Sequence, residues 1–306
     1  MRHFFLWLTL LACTAGMHAS VFADDEPTLA EEPTLAEASP AADEAKKYTL
    51  KYDFQPGEAL RWKVEHRASI RTTVSGTTQT VETLSTSVKV WRATELDDDG
   101  NLTFEHSVES VQMRQKQSGR QEVVYNSVTD KTPPAGFEDA AASVGVTLSV
   151  IKMDRLGKVI KREDKRPRPN SNEEGQMTIS LPEQAVAVGE SWKVPYDVEV
   201  TLKDRGTQKI KTRQVYTLKE VKNDVATIKL ETQILTPIRD PAVKAQLVQR
   251  ENSGEIRFDI ESGRVIGQEV SLDNHVVGFA GENSSLHCRT QFNETLLAAE
   301  TTARKE

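Results

Sequence analysis

Short runs of alternating apolar and polar residues dominate the chain from Tyr48 onward. Alternation with a period of two is typical of strands that have one dry face and one solvated face, as in an antiparallel sheet. The clearest runs are 60–65, 88–91, 102–105 and 198–202. The pattern therefore predicts a mainly β fold.

Two pairs of similar segments occur in the same order in the two halves of the chain. Segment 55–64 is echoed by 187–194, and in each a turn glycine and a glutamate lead into Trp-Lys-Val. Segment 151–160 is echoed by 256–266, where an aspartate, a turn glycine and a basic residue precede Val-Ile. An aspartate that bonds the turn backbone and a glycine with positive φ are hairpin features. Two echoes in one order predict a tandem duplication.

Each half also contains one segment that favours a short helix. The first is 137–144, and the second is 242–250, which follows Pro241 and carries apolar residues at helical spacing at Val243, Leu247 and Val248. Proline is favoured at the start of a helix. We therefore expect two tandem curved antiparallel-sheet repeats, each with one short helix.

The composition along the chain predicts its domain organisation. Segment 24–46 repeats Glu-Pro-Thr-Leu-Ala-Glu and has too few large apolar residues to fold. The predicted order is a signal peptide at 1–23, a disordered acidic linker at 24–46, β repeat 1 at 47–163, a polar linker at 164–177, β repeat 2 at 178–295 and a flexible tail at 296–306.

The first residues carry the pattern of an export signal. Arg2 precedes an apolar run at 4–12, which is too short to span a bilayer, and small residues follow up to Ala23. This pattern predicts cleavage between Ala23 and Asp24 and a secreted or periplasmic protein. The alternative is the lipoprotein-like box Leu-Leu-Ala-Cys at 10–13, in which lipidation of Cys13 would anchor the protein to the membrane.

Charge and cysteine usage narrow the function classes. The net charge is −7, but eight of the 46 acidic residues lie in 24–45, where no base occurs. The folded part is therefore close to neutral, which argues against nucleic acid as a partner. Cleavage after Ala23 leaves Cys288 as the single cysteine, so no internal disulfide can form, and a buried Cys288 is the expected arrangement.

The chemical motifs do not assemble a catalytic or metal site. Ser149 and Lys152 match Ser-x-x-Lys, but on a strand this spacing sends the two side chains to opposite faces. The acidic run that begins at Asp97 lacks EF-hand spacing and indicates a hairpin turn. None of the four histidines of the mature chain has a local partner at ligand spacing, although distant strands could bring two together; they are His66, His106, His275 and His287. The sequence thus predicts no enzyme, no metal and no cofactor, with a hydrolase whose site lacks a motif as the alternative.

The motifs at 56–58, 62–64 and 188–192, together with the two Asp-to-Val-Ile hairpins, resemble a group of uncharacterised exported proteins of planctomycete-type bacteria. The resemblance covers about 48–295 and implies a bacterial source, and the group has no established activity. More distantly, a curved sheet with helices on its concave side is similar to the fold of periplasmic lipoprotein-carrier proteins, a likeness that concerns fold alone.

We therefore expect an uncharacterised exported binding module of the cell envelope. Its ligand would be apolar or a lipid, held on a face formed by Trp62, Trp91 and Trp192, although tryptophans also commonly fill cores. The alternative is a structural protein that interacts with envelope proteins. No transmembrane span is expected in the mature chain.

Overall fold

The computed structural model describes residues 46–166, 178–202 and 206–298 of the protein. The predicted signal peptide and nearly all of the predicted acidic linker, including Cys13, Ala23 and Asp24, lie outside these residues. So do most of the predicted polar linker and most of the predicted tail.

The chain is mainly β, with 61% of the described residues in strands and 5% in helices. The elements of the first half are β1 (Lys47–Tyr48), β2 (Ala59–Val74), β3 (Thr77–Leu96), β4 (Leu102–Gln117), β5 (Val123–Asn126), α1 (Glu138–Ser143), β6 (Thr147–Met153) and β7 (Val159–Asp164). Those of the second half are β8 (Val186–Ala187), β9 (Ser191–Leu202), β10 (Gly206–Lys222), β11 (Val225–Ile234), α2 (Pro241–Leu247), β12 (Ser253–Asp259), β13 (Arg264–Val277) and β14 (Ser285–Leu296). The predicted fold class is confirmed.

The two halves share one sheet of 12 strands and do not form a separate sheet each. The strand order is β7-β6-β4-β3-β2-β14-β13-β12-β11-β10-β9, with β5 paired to β4, and β1 pairs with β8 in a small second sheet. All of these pairings are antiparallel. Strand β14 joins the halves, because it pairs with β13 on one side and with β2 on the other.

The order of elements is the same in the two halves. Three strands, a short helix and two more strands follow one another as β2-β3-β4-α1-β6-β7, apart from the short β5, and as β9-β10-β11-α2-β12-β13. This order is compatible with the duplication that the echoes predict. The duplication itself and the predicted domain bounds stay predictions.

The glycine-glutamate turns have the same geometry in both halves. Gly57 and Gly189 have φ of 85° and 92°, and each donates its N–H to a backbone carbonyl, of β3 and β10 respectively. The carboxylates of Glu58 and Glu190 each accept a bond from the backbone N–H three positions earlier, at 3.3 and 2.8 Å. The same residue types therefore build the same entry into β2 and β9.

The two predicted hairpins also form with the expected chemistry. Asp154 Oδ1 accepts bonds from two backbone N–H groups of its turn, each at 2.9 Å, and Asp259 Oδ1 accepts one at 2.9 Å. Gly157 and Gly263 have φ of 83° and 60°, which few other residues adopt. At Gly263 a side chain would also collide with the backbone N of Asp53, 2.5 Å from the Cβ position.

The sheet is strongly curved, because one apolar core contains side chains from both halves. The core includes Trp62 and Phe104 from the first half and Tyr216 and Phe258 from the second. Segment 50–54 lies between the parts of the sheet that the two halves contribute. The ring of Tyr52 contacts Phe258 of the second half at a centroid distance of 5.6 Å, and the ring of Phe54 lies 6.5 Å from that of Trp91 in the first half. The face that encloses this core is called the concave face below.

The helices follow the sequence-based expectation with one difference in length. Helix α2 begins at Pro241, and the Asp240 side chain caps it by accepting a bond from Ala242 N at 2.8 Å. Its last residue is Leu247, three residues before the end of the predicted segment 242–250, since turns occupy the remainder. In the described residues no helix has the length and apolar content to span a membrane.

The edge strand β9 is partly covered by helix α2. The amide side chain of Gln246 accepts a bond from Thr201 N at 2.9 Å and donates one to Thr201 O at 2.8 Å. Pro195, which has no N–H, lies six residues earlier on the same strand. A covered or proline-bearing edge is protected from pairing with another chain.

Candidate functional site

A buried ion pair connects β3 with β14 on the concave face. Lys89 Nζ contacts Glu294 Oε1, and the two side chains are only 17% and 2% exposed. The contact of Oε1 is an ion-pair contact outside hydrogen-bond geometry, and Oε2 accepts a bond from Gln268 Nε2 on β13. A carboxylate this deep in a protein is stable only when it is paired and hydrogen-bonded. Lys89 and Glu294 therefore depend on each other.

Two tryptophans enclose the ammonium group of Lys89. Its Nζ lies 4.7 Å from the ring centroid of Trp62 and 4.7 Å from that of Trp91, within the range of cation–π attraction. The two indoles are in contact, with centroids 5.0 Å apart. Cross-strand pairing explains this, because Trp62 lies opposite Lys89 in the register of β2 and β3, and Trp91 follows two residues later on the same face.

His106 lies beside Lys89 and Trp91, on the neighbouring strand β4. It is opposite Trp91 in the register of β3 and β4; the residue is half-buried, and its Nδ1 atom is buried. Burial, together with the weaker effect of repulsion from Lys89 and Arg162, lowers the pKa of His106 to about 3. The imidazole is therefore neutral at physiological pH, with one N–H group and one lone pair.

Three buried polar atoms in this region have no hydrogen-bond partner among the described residues. They are Trp91 Nε1, His106 Nδ1 and Ser149 Oγ. Because Trp91 pairs with His106, and His106 with Ser149, the three residues form a row across β3, β4 and β6. Buried polar groups are nearly always bonded to protein, water or a ligand. We call Lys89, Trp91, His106, Ser149 and Glu294 the buried polar cluster.

The charges around the cluster balance. Lys89 is paired with Glu294, and Arg162 on β7 contacts Asp164 at 3.0 Å. The indole N–H can only donate, whereas the hydroxyl can donate or accept. The row therefore suits a neutral group with an oxygen acceptor better than it suits a free ion.

The cluster has only part of the geometry that a hydrolase would need. Ser149 and His106 are cross-strand neighbours, but Ser149 Oγ accepts no bond from the histidine and donates none to it. Activation of a serine requires hydrogen-bond contact with its base. In the described part of the chain, no three His, Cys, Asp or Glu side chains are grouped so that they could hold a metal ion.

The best-formed clefts that described residues line are not at the cluster. One, of about 10 Å³, lies under segment 52–54 beside Met153 and has room for at most one water molecule. The other, of about 520 Å³, is a wide depression between the loops 73–76 and 282–285. Neither of these two clefts therefore reaches the cluster.

The structure brings together two of the three predicted ligand-face residues. Trp62 and Trp91 are in contact and are 2% and 5% exposed, so both contribute to the core. Trp192 is half-buried on β9, where it stacks on Tyr216 at 5.4 Å and donates to Ser180 O at 2.8 Å. A ligand face made by all three tryptophans stays a prediction.

Sequence reasoning missed Lys89 and Glu294. The signal was present, since each is a charged residue in the apolar phase of a strand: Lys89 alternates with Trp91, and Glu294 with Phe292 and Leu296. The acidic turn, in contrast, has the predicted form. Asp97 accepts bonds from Lys152 and Asn101, which hold the pKa of Asp97 below its usual range. Lys152 faces Asp97 whereas Ser149 is buried, as expected for opposite faces of a strand.

The fold thus defines a mainly antiparallel β protein with one large curved sheet and a polar cluster on the concave face of that sheet. Within it, residues 172–265 match a family of unknown function, DUF6263. No curated protein matches the sequence.

Two solved structures are similar at low identity. A lipovitellin structure described for its lipid–protein interactions is 10% identical, with a TM-score of 0.44, over 80% of this chain and 26% of that one. The protein OpdQ of Pseudomonas aeruginosa is 9% identical, with a TM-score of 0.21, over 78% of this chain and 99% of that one. The chain thus spans about a quarter of the lipovitellin chain.

Proposed function

We propose that this protein is an exported, non-catalytic binding module of the bacterial cell envelope that holds an amphipathic ligand on the concave face of its sheet. The observation that supports this proposal is the row of unpartnered buried polar atoms in Trp91, His106 and Ser149. An oxygen acceptor, such as the carbonyl of an acyl ester, would satisfy the indole N–H that no described residue satisfies.

The apolar part of such a ligand has a surface on the same face. Val64 pairs with Glu294 in the sheet register, and Phe292 and Val270 pair with each other in the adjacent row. All three side chains are half-buried, unlike the fully buried core beside them. Because each contributes apolar area that a ligand could remove from water, a lipid or acylated molecule is the favoured ligand class.

Extraction and titration test the ligand. Purified protein would be analysed by native mass spectrometry and organic extraction, and then titrated with a long-chain acyl ester while tryptophan fluorescence is followed. We expect Ser149→Ala to weaken binding about fivefold, because one hydrogen bond is lost. Ser253→Ala, on an exposed serine of β12, is the matched control. Protein that is recovered empty and shows no fluorescence change would refute the proposal.

The proposed export and cleavage of the signal peptide have a separate test. The intact mass of the protein from a bacterial host distinguishes a mature chain that begins at Asp24 from one that begins at a lipidated Cys13. We expect the first, and Cys13→Ser should then leave the mature mass unchanged. A mature protein that retains its leader would contradict export by this signal.

A second function is favoured by exposed apolar side chains around β5. Val123, Val124 and Val128 are 36%, 50% and 74% exposed. Such residues fit an interaction with an envelope protein. Crosslinking in envelope extract should then lose its product in Val124→Lys and keep it in Val277→Lys, which alters another exposed valine.

A further inference from the structure

The tertiary structure brings two histidines together on the convex face. His275 on β13 and His287 on β14 are direct partners in the sheet register. The residues that flank the two histidines along these strands, which include Val276 and Cys288, face the concave side. The ring centroids of His275 and His287 are 5.6 Å apart, with planes inclined at 61°.

The backbone pairing explains why the two rings are so close. Gly278 N donates to Ser284 O at 2.7 Å, which fixes the alternation of hydrogen-bonded pairs along β13 and β14. In the same register, His275 and His287 form a non-hydrogen-bonded pair, the kind in which facing side chains approach most closely. Two imidazoles in this arrangement can direct ring nitrogens at one point.

A carboxylate prepares one of the rings to act as a ligand. Asp273 Oδ1 lies 2.5 Å from His287 Nε2, and Arg289 Nε donates to Asp273 Oδ2 at 2.8 Å. Because a carboxylate only accepts, Nε2 carries the proton in neutral His287 and Nδ1 keeps its lone pair. A histidine that binds a metal typically donates its other N–H to a carboxylate in this way.

We propose that His275 and His287 form a two-histidine site for a divalent transition-metal ion, with Asp273 as the outer carboxylate that orients His287. Imidazole nitrogens favour Zn²⁺, Cu²⁺ and Ni²⁺ over the oxygen-seeking Ca²⁺ and Mg²⁺. Within the described residues no third such ligand joins the pair, so water completes the coordination. Arg71, which lies opposite His287 on β2, and Arg289 add positive charge and keep the affinity modest.

Zinc titration of the untagged full-length chain against a chromophoric chelator tests the site. His275→Gln and His287→Gln should each remove the same single equivalent of bound zinc, with unchanged urea midpoints because both positions are on the surface. Asp273→Asn should still bind one equivalent of zinc, with an affinity that is roughly tenfold weaker. His66→Gln, which alters a histidine outside the pair, should bind zinc as the parent does. Equal zinc binding by the parent chain and His275→Gln would overturn the proposal.

A second measurement needs only one variant. Electron paramagnetic resonance of one equivalent of Cu²⁺ on the parent chain should show coupling to two imidazole nitrogens, and His287→Gln should reduce it to one. A spectrum that is identical in the two proteins would assign the copper to another part of the chain. Neither result depends on the proposed ligand of the concave face.

Discussion

The indole Nε1 of Trp62 donates a hydrogen bond of 3.0 Å to the backbone carbonyl of Val265, 203 positions away. This bond joins β2 to the hairpin that β12 and β13 form. Trp62 also packs against Lys89 and Trp91, so one side chain contributes to the contact between halves and to the enclosure of the buried ion pair.

Trp62→Phe should therefore destabilise the protein by about 3 kcal/mol, since it leaves the carbonyl of Val265 without a partner and a gap in the core. Trp192→Phe, the equivalent change in the second half, should cost less because Trp192 is half-buried. Urea unfolding of both variants measures the difference. Equal losses in the free energy of unfolding would show that the position of Trp62 between the halves makes it no more important for stability than Trp192.

Glu294→Gln should cost about 3 kcal/mol in the free energy of unfolding, because it leaves the ammonium of Lys89 buried without its counter-charge. Adding Lys89→Met should restore part of the loss, as expected when both charges of a buried pair are removed. The surface pair of Arg61 and Glu109 provides the control, and Glu109→Gln should cost less than about 1 kcal/mol. A double-mutant cycle with no coupling would contradict the assignment.

Stability should fall as the pH is lowered through the range in which free histidine titrates. The pKa of His106 is about 3 in the folded protein and about 6.5 in the unfolded chain, so the unfolded chain binds the extra proton between these values. The free energy of unfolding then decreases by up to about 1.4 kcal/mol per pH unit below about 6.5. Chemical unfolding at pH 5 and pH 8 should show this slope, and His106→Gln should reduce it. A slope that is unchanged in His106→Gln would contradict this origin of the pH dependence.

The two aspartate turns should respond alike to substitution. Asp154→Ala and Asp259→Ala each remove turn hydrogen bonds and should each destabilise the protein by about 1 kcal/mol. Asp98→Ala, in the exposed turn after β3, should have little effect. Thermal unfolding gives the comparison, and a loss in only one of the two hairpins would contradict their equivalent chemistry.

The thiol of Cys288 should resist alkylation in the folded protein. Its side chain is buried, and burial together with the nearby Asp273 raises the pKa of Cys288 to about 11. Iodoacetamide at pH 8 should thus react at least about 100-fold more slowly with the native protein than with the urea-unfolded chain. Cys13→Ser in the full chain ensures that only Cys288 reports. A fast reaction in the native state would show that the thiol is accessible.

Local chemistry was the most predictable part of the fold. Asp154 and Gly157 specify their turn within four residues, and Pro241 marks the start of α2, because these preferences depend on backbone bonds between near neighbours. The strands were predictable from the period-two pattern, because alternating side chains of a strand point to opposite faces and only one of these faces the core. The end of α2 was less so, since the apolar Val248 continues the helical pattern but lies in a turn that packs against Leu272 and Val276.

The candidate sites were less predictable. Lys89 and Glu294 meet across β2, and His275 and His287 meet across a hairpin whose register depends on the loop between them. Sequence spacing alone does not give the register of such pairs, because a shift of one residue would turn every side chain to the opposite face.

The sequence by itself determined the mainly β class, the paired turns and one short helix in each half, since these follow from the local preferences of each segment. Only the tertiary structure decided that the halves share one sheet through β14, that Trp62 reaches Val265, that Lys89 meets Glu294, and that Trp91, His106 and Ser149 form a row. Those relationships depend on strand register and sheet curvature, which are set by the packing of a core whose members are distant in the chain.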